Sequence, residues 1–147
     1  DGLHENNAQY MHSGSRPCAA AAAGEYTVGI SFEYCANREK ARGAPIELVF
    51  PKEGLGWDLE ASGIVKGTKN LDAAKKLMHW SVTDEAMGLY ANNFAIVAVP
   101  ALNKPLPNVP ANYASLLVKN DFAWAAANRD KILAEWSKRY ESKAAPK

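Results

Sequence analysis

RPCAAAAAGEYTVGISF, residues 16–32, is the stretch on which the fold assignment turns. Pro17 suits the first turn of a helix, where an N–H would have no intrahelical partner. The alanines from Ala19 to Ala23 carry the helix on, and Gly24 stops it as a C-terminal glycine does. From Tyr26 to Phe32 the pattern changes, because Tyr26, Thr27, Val28, Ile30 and Phe32 have the β-branched and aromatic character of a strand. A helix that hands over at once to a strand predicts the α/β class. The two should run antiparallel, which puts the helix start and the strand end at one edge.

The same alternation extends outward. Upstream, Leu3 to Met11 reads as the end of a helix, and His12-Ser13-Gly14-Ser15 as a turn. Downstream comes a short charged helix, Ala36 to Arg42, closed by Gly43. Further strands are expected at Ile46 to Phe50, Trp57 to Val65 and Phe94 to Val99. Between them lie an amphipathic helix, Leu71 to Trp80, and a second helix capped by Thr83. Pro100, Pro105, Pro107 and Pro110 mark an irregular stretch. The last helix, Asp121 to Tyr140, carries Phe122, Ala125, Ala126, Ile132, Leu133, Trp136 and Tyr140 on one stripe, with charges opposite. Residues 142–147 read as a fraying polar tail.

Composition narrows the function. The chain has 147 residues, enough for one ordinary domain, with 48% apolar and 22% charged residues and a net charge of +1. Its lysines and arginines are dispersed, so nucleic acid is not an expected partner. No apolar run is long enough to span a bilayer. The alanine run lacks the flanks of a signal-peptide core. Asp1-Gly2-Leu3-His4-Glu5-Asn6 opens inside a helical pattern, so the sequence is expected to be the C-terminal part of a longer chain.

Catalytic signatures are missing. His4, His12 and His79 have no metal-ligand spacing, and neither a nucleophile elbow nor a phosphate-binding glycine loop occurs. No cofactor is expected, and a binding protein fits better than an enzyme. Three segments could bind. Ser13-Gly14-Ser15, just before a helix, could offer hydroxyls and free N–H groups to an anion. Ordinary capping by Ser15 would satisfy the same donors. Phe32-Glu33-Tyr34 ends a strand, where ligands of open α/β sheets sit. In Lys52-Glu53-Gly54-Leu55-Gly56-Trp57, the glycines allow close approach, and Trp57 could wall a site and attract an amine. The alternative for Tyr34 and Trp57 is plain packing.

Taken in order, these segments resemble the C-terminal part of bacterial extracellular solute-binding proteins of the iron(III), polyamine and phosphonate branch. The resemblance runs through Ser13-Gly14-Ser15-Arg16-Pro17-Cys18, Val28-Gly29-Ile30-Ser31-Phe32, Val49-Phe50-Pro51-Lys52-Glu53-Gly54 and Leu89-Tyr90-Ala91-Asn92-Asn93-Phe94. Within the branch it is similar to 2-aminoethylphosphonate-binding proteins. It implies a type 2 periplasmic-binding-protein fold, two α/β lobes closing on a solute. Residues 1–46 would belong to the second lobe with its binding rim, and 47–147 would cross the hinge and return to the first. It also implies a periplasmic protein, monomeric at full length, that delivers solute to the membrane permease of an ABC transporter. The ligand-binding residues would be Ser13, Gly14, Ser15, Phe32, Glu33, Tyr34 and Trp57, and the best-matching ligand 2-aminoethylphosphonate. Alternatives are ferric, polyamine or thiamine binding, or, in another class, the effector-binding domain of a transcription regulator.

Cys18 and Cys35 would then share an oxidising compartment and one edge of the lobe, so a disulfide is expected between them. It would close a loop of 18 residues, for which chain-entropy models give about 3 kcal/mol. Ferric-binding relatives carry adjacent tyrosines after the strand, whereas the matching pair here is Tyr34-Cys35. Hard Fe(III) prefers oxygen donors. Titration of the whole protein with Fe(III) is therefore expected to produce no tyrosinate charge-transfer band. Tight ferric binding with that band would contradict the reading.

Overall fold

In the computed structural model, which describes residues 1–146, the chain is a string of helices joined by long extended segments. The helices are α1 Gly2–Asn6, α2 Arg16–Ala22, α3 Glu33–Ala41, α4 Leu71–Ser81, α5 Asp84–Asn92, α6 Tyr113–Leu116 and α7 Phe122–Tyr140. Local chemistry accounts for their ends. Gly24 takes a φ of +77° just past α2, as a stop glycine should. The Thr83 hydroxyl donates to the Trp80 carbonyl at 2.8 Å and accepts from the Ala86 N–H at 3.3 Å, closing α4 and opening α5 together. The Asp121 carboxylate accepts from the Trp124 N–H at 2.9 Å and starts α7.

The α/β expectation, and with it the two-lobe type 2 periplasmic-binding fold, is overturned. Among the described residues there is no sheet, only two isolated parallel bridges, Tyr10 with Ala144 and Leu55 with Leu117. The four expected strands are extended or irregular chain without a ladder. β-branched content favours an extended backbone, but a strand also needs a neighbour to accept its N–H and carbonyl groups. At 94–99 that neighbour is a side chain. The Asn103 amide accepts from the Val97 N–H at 2.8 Å and donates to its carbonyl at 3.0 Å. Phe94 itself sits at a φ of +64°, a turn conformation at the end of α5. Val28, Ile30, Val49 and Val65 are 77%, 69%, 85% and 76% exposed, so the first three extended segments leave much apolar surface uncovered.

Two small cores result. One lies between α2 and α3, where Cys18, Ala20, Cys35 and Asn37 are buried; the other buries Ala86, Ala91 and Val97 around α5. The α2–α3 contact is the largest between helices among the described residues. The stripe of α7 is less covered than its pattern suggests. Phe122, Ile132 and Leu133 remain exposed, while Trp136 lies edge-on to Tyr10 at 5.3 Å. The polar tail is also corrected. A short 3-10 turn at Glu141–Lys143 follows α7, and the backbone of Tyr10 bonds to Lys143 and Ala145 at 2.8 and 2.7 Å. The Lys143 ammonium donates to the carbonyls of His4 and Asn7, and Arg139 pairs with Asp1.

The accessible surface is 11310 Å² for a mass of 15.9 kDa. A compact monomer of that mass exposes roughly 7,400 Å². About 4,000 Å² is thus open beyond the usual amount, much of it apolar. The slope of a denaturant transition scales with the surface newly exposed on unfolding. The 147-residue chain by itself is therefore expected to bind a hydrophobic dye and to unfold over a broad urea range. A steep transition without dye binding would contradict this description.

Candidate functional site

The first turns of α2 and α3 lie side by side, and the segments entering them are bonded to each other. Ser31 donates its hydroxyl to the Gly14 carbonyl at 2.5 Å. The Cys35 thiol lies 3.6 Å from the Ser15 carbonyl. Gly14 has no side chain where the Phe32 ring sits, and a Cβ there would overlap that ring. Phe32 stacks on Tyr34 with centroids 5.6 Å apart and planes 19° from parallel. Six of the seven residues singled out in the sequence, Ser13, Gly14, Ser15, Phe32, Glu33 and Tyr34, thus gather at one exposed or half-buried rim.

Two details change the sequence reading. α3 begins at Glu33 rather than Ala36, so Glu33, Tyr34 and Cys35 form its first turn instead of following a strand. An acidic residue is favoured there by the positive end of the helix. Ser15 does stand at the start of α2, but its side chain makes no capping bond; its hydroxyl pairs with that of Ser13 at 3.1 Å. Neither α2 nor α3 has a side-chain cap. In α2 the Arg16 N–H already donates to the Ser13 carbonyl at 3.2 Å and Pro17 has none, so the unpaired first-turn donors are chiefly those of α3, at Glu33, Tyr34 and Cys35, and such donors suit an anion.

Trp57 does not join the rim. Its indole N–H donates to the Val118 carbonyl at 2.7 Å, its carbonyl accepts from Asn120, and its ring lies edge-on to Phe122 at 5.5 Å. It fastens the 55–58 chain to the entrance of α7.

A neighbouring concavity was not visible in the sequence. It measures about 540 Å³ and is lined by Phe50, Lys52, Asn108, Val109, Pro110, Asn112 and Leu116. Tyr113 lies edge-on to Phe50 of its wall at 5.9 Å. Burial, then the negative charge of Glu33, pushes the Tyr113 hydroxyl above its ordinary pKa. Buried Asn37 of α3 accepts from the Asn108 amide at 3.1 Å, across 71 residues of sequence. Asn108 holds a φ of +62°, which asparagine tolerates better than most residues. Lys52, from the Gly-rich loop, is the cation of this concavity. No spacing rule links positions 37 and 108, and only the fold brings them together.

Cys18 and Cys35 are free, buried thiols. Burial first, then the neighbouring Cys35 thiol, pushes the Cys18 thiol up to about 12, so it stays neutral at physiological pH. Among the described residues, no three of His, Cys, Asp and Glu gather in a way that could hold a metal ion.

The close approaches predict a graded response to added methyl groups. At Gly14 the new Cβ would meet a mobile ring, but at Gly29 it would meet the Pro17 carbonyl, which is backbone. Gly29→Ala is expected to destabilise by about 1–3 kcal/mol, as overpacking does, and Gly14→Ala by less. Urea denaturation of both variants checks this. Equal effects, or none at Gly29, would mean that α2 and segment 28–31 are not packed as described.

Comparison with known proteins adds a partial likeness. No family model matches the chain, and no solved structure matches it. Over 87 residues it is 42% identical to an uncharacterised protein of Haemophilus influenzae. That match takes in 59% of this chain and spans 25% of the relative's length.

Proposed function

We propose that this chain is part of a solute-binding component of an ABC importer and that its rim holds a small anionic or zwitterionic solute, 2-aminoethylphosphonate fitting best. One observation carries the reading: the first turns of α2 and α3 meet at one edge with no side-chain cap on either. The Ser13 and Ser15 hydroxyls, bonded to each other, stand at that edge as further donors. A phosphonate offers several acceptor oxygens, and hydrogen bonds to a charged group are stronger than neutral ones. The amine of such a solute would find the Phe32–Tyr34 stack and the Glu33 carboxylate beside it. Lys52 in the adjoining concavity adds positive charge for the anionic end. The order of sequence motifs supports the same solute class. Delivery to a membrane permease, and the periplasm as the compartment, belong to this proposal for the whole protein.

Calorimetry on the whole protein with 2-aminoethylphosphonate, phosphate, spermidine, thiamine and Fe(III) tests it. Heat of binding is expected with 2-aminoethylphosphonate. Replacing Ser13 and Ser15 together by Ala should weaken it by about 10- to 100-fold, the loss of one or two bonds to a charged group. Binding of spermidine alone, or a double variant with unchanged affinity, would overturn the reading.

A further inference from the structure

Two thiols are buried at the α2–α3 contact, one from each helix, and solute binding gives them no task. Cys18 is 4% exposed in the first turn of α2, and Cys35 is fully buried in the first turn of α3. The Cys35 sulfur lies 3.6 Å from the carbonyl of Ser15, three residues before Cys18. From the other side, the Arg38 guanidinium donates to it at 3.7 Å. Glu39 pairs with Arg38 at 3.3 Å and adds a negative charge near Cys18. Both sulfurs are buried, but it is Cys35 that receives the Arg38 guanidinium directly.

We infer that Cys18 and Cys35 form a reversible thiol–disulfide exchange site, oxidised by a small-molecule disulfide, that staples the start of α2 to the start of α3. In the first step Cys35 loses its proton, and its sulfur attacks the small disulfide. The old sulfur–sulfur bond breaks, one thiolate leaves and takes up a proton, and a mixed disulfide remains on Cys35. In the second step Cys18 loses its proton and attacks the Cys35 sulfur, which expels the second small thiolate. Two protein thiols are oxidised, and one small disulfide is reduced to two thiols. Arg38 favours Cys35 as the first attacker, since charge developing on that sulfur meets the guanidinium. Both thiols are buried, so entry of the small disulfide requires a transient local opening of the α2–α3 contact. The staple would fix the relative position of Ser13–Ser15 and Phe32–Tyr34, yet the exchange itself is independent of any solute.

The chain is held in glutathione buffers of increasing oxidised fraction, then quenched and alkylated under denaturing conditions for mass analysis. Wild type should pass from two alkylated thiols to none, as a monomer that yields a Cys18–Cys35 crosslinked peptide. Wild type that keeps two free thiols, carries two mixed disulfides or forms linked dimers overturns the inference. This count needs no variant to fold. Cys18→Ser should collect a mixed glutathione disulfide roughly tenfold faster than Cys35→Ser, in keeping with the cation beside Cys35. Equal rates, or a faster Cys35→Ser, would overturn the assigned order of attack.

Discussion

The contact between α2 and α3 is the constraint on which the rest of the site depends. It is made of small groups: the missing side chains of Gly14 and Gly29, the methyl of Ala20, and the sulfurs of Cys18 and Cys35. Small groups let two helices approach closely, and close approach brings two helix starts to one edge. The rim is then a consequence of packing rather than of any one binding residue. Phe32 can lie over Gly14 only because that position is empty, and its ring in turn sets the place of Tyr34. A hydrogen bond donated by the Asn108 amide to buried Asn37 ties the same helix pair to the proline-rich stretch.

What was legible in the sequence was local. Thr83 and Asp121 start their helices, and Gly24 ends α2, because caps and stops involve groups within a few residues. The gathering of Ser13–Ser15 with Phe32–Tyr34 was also readable, since the 15 to 32 segment is one turn-back of chain. Strand pairing was not. The β-branched runs have the backbone preference of strands, but pairing depends on a distant neighbour that no local pattern supplies. Trp57 illustrates the same limit, because its partners Val118, Asn120 and Phe122 lie some sixty residues on. The start of α3 was missed because Phe32-Glu33-Tyr34 reads equally well as a strand end and as the entry to a helix.

The uncovered surface has a physical meaning of its own. With only small side chains fully buried, hydrophobic burial contributes little here, and the many exposed valines, leucines and tryptophans contribute almost none. Polar ties do much of the positioning instead, such as Asn103 on Val97 and Lys143 on the carbonyls near α1. Ties of this kind position backbone well but add modest net stability. The α2–α3 unit, with its buried sulfurs, is the part best suited to keep its geometry while extended segments around it move.

The central claim is that the adjoining first turns of α2 and α3 offer their unpaired N–H groups, chiefly those of α3, to an anion. Backbone amide chemical shifts of the whole protein, recorded during a titration with 2-aminoethylphosphonate, test it most directly. The account predicts that the largest shifts fall on the amides of Ser15, Cys18, Glu33, Tyr34 and Cys35. Shifts centred instead on Trp57 and the 117–122 segment, or no saturable shift at either helix start, would contradict it.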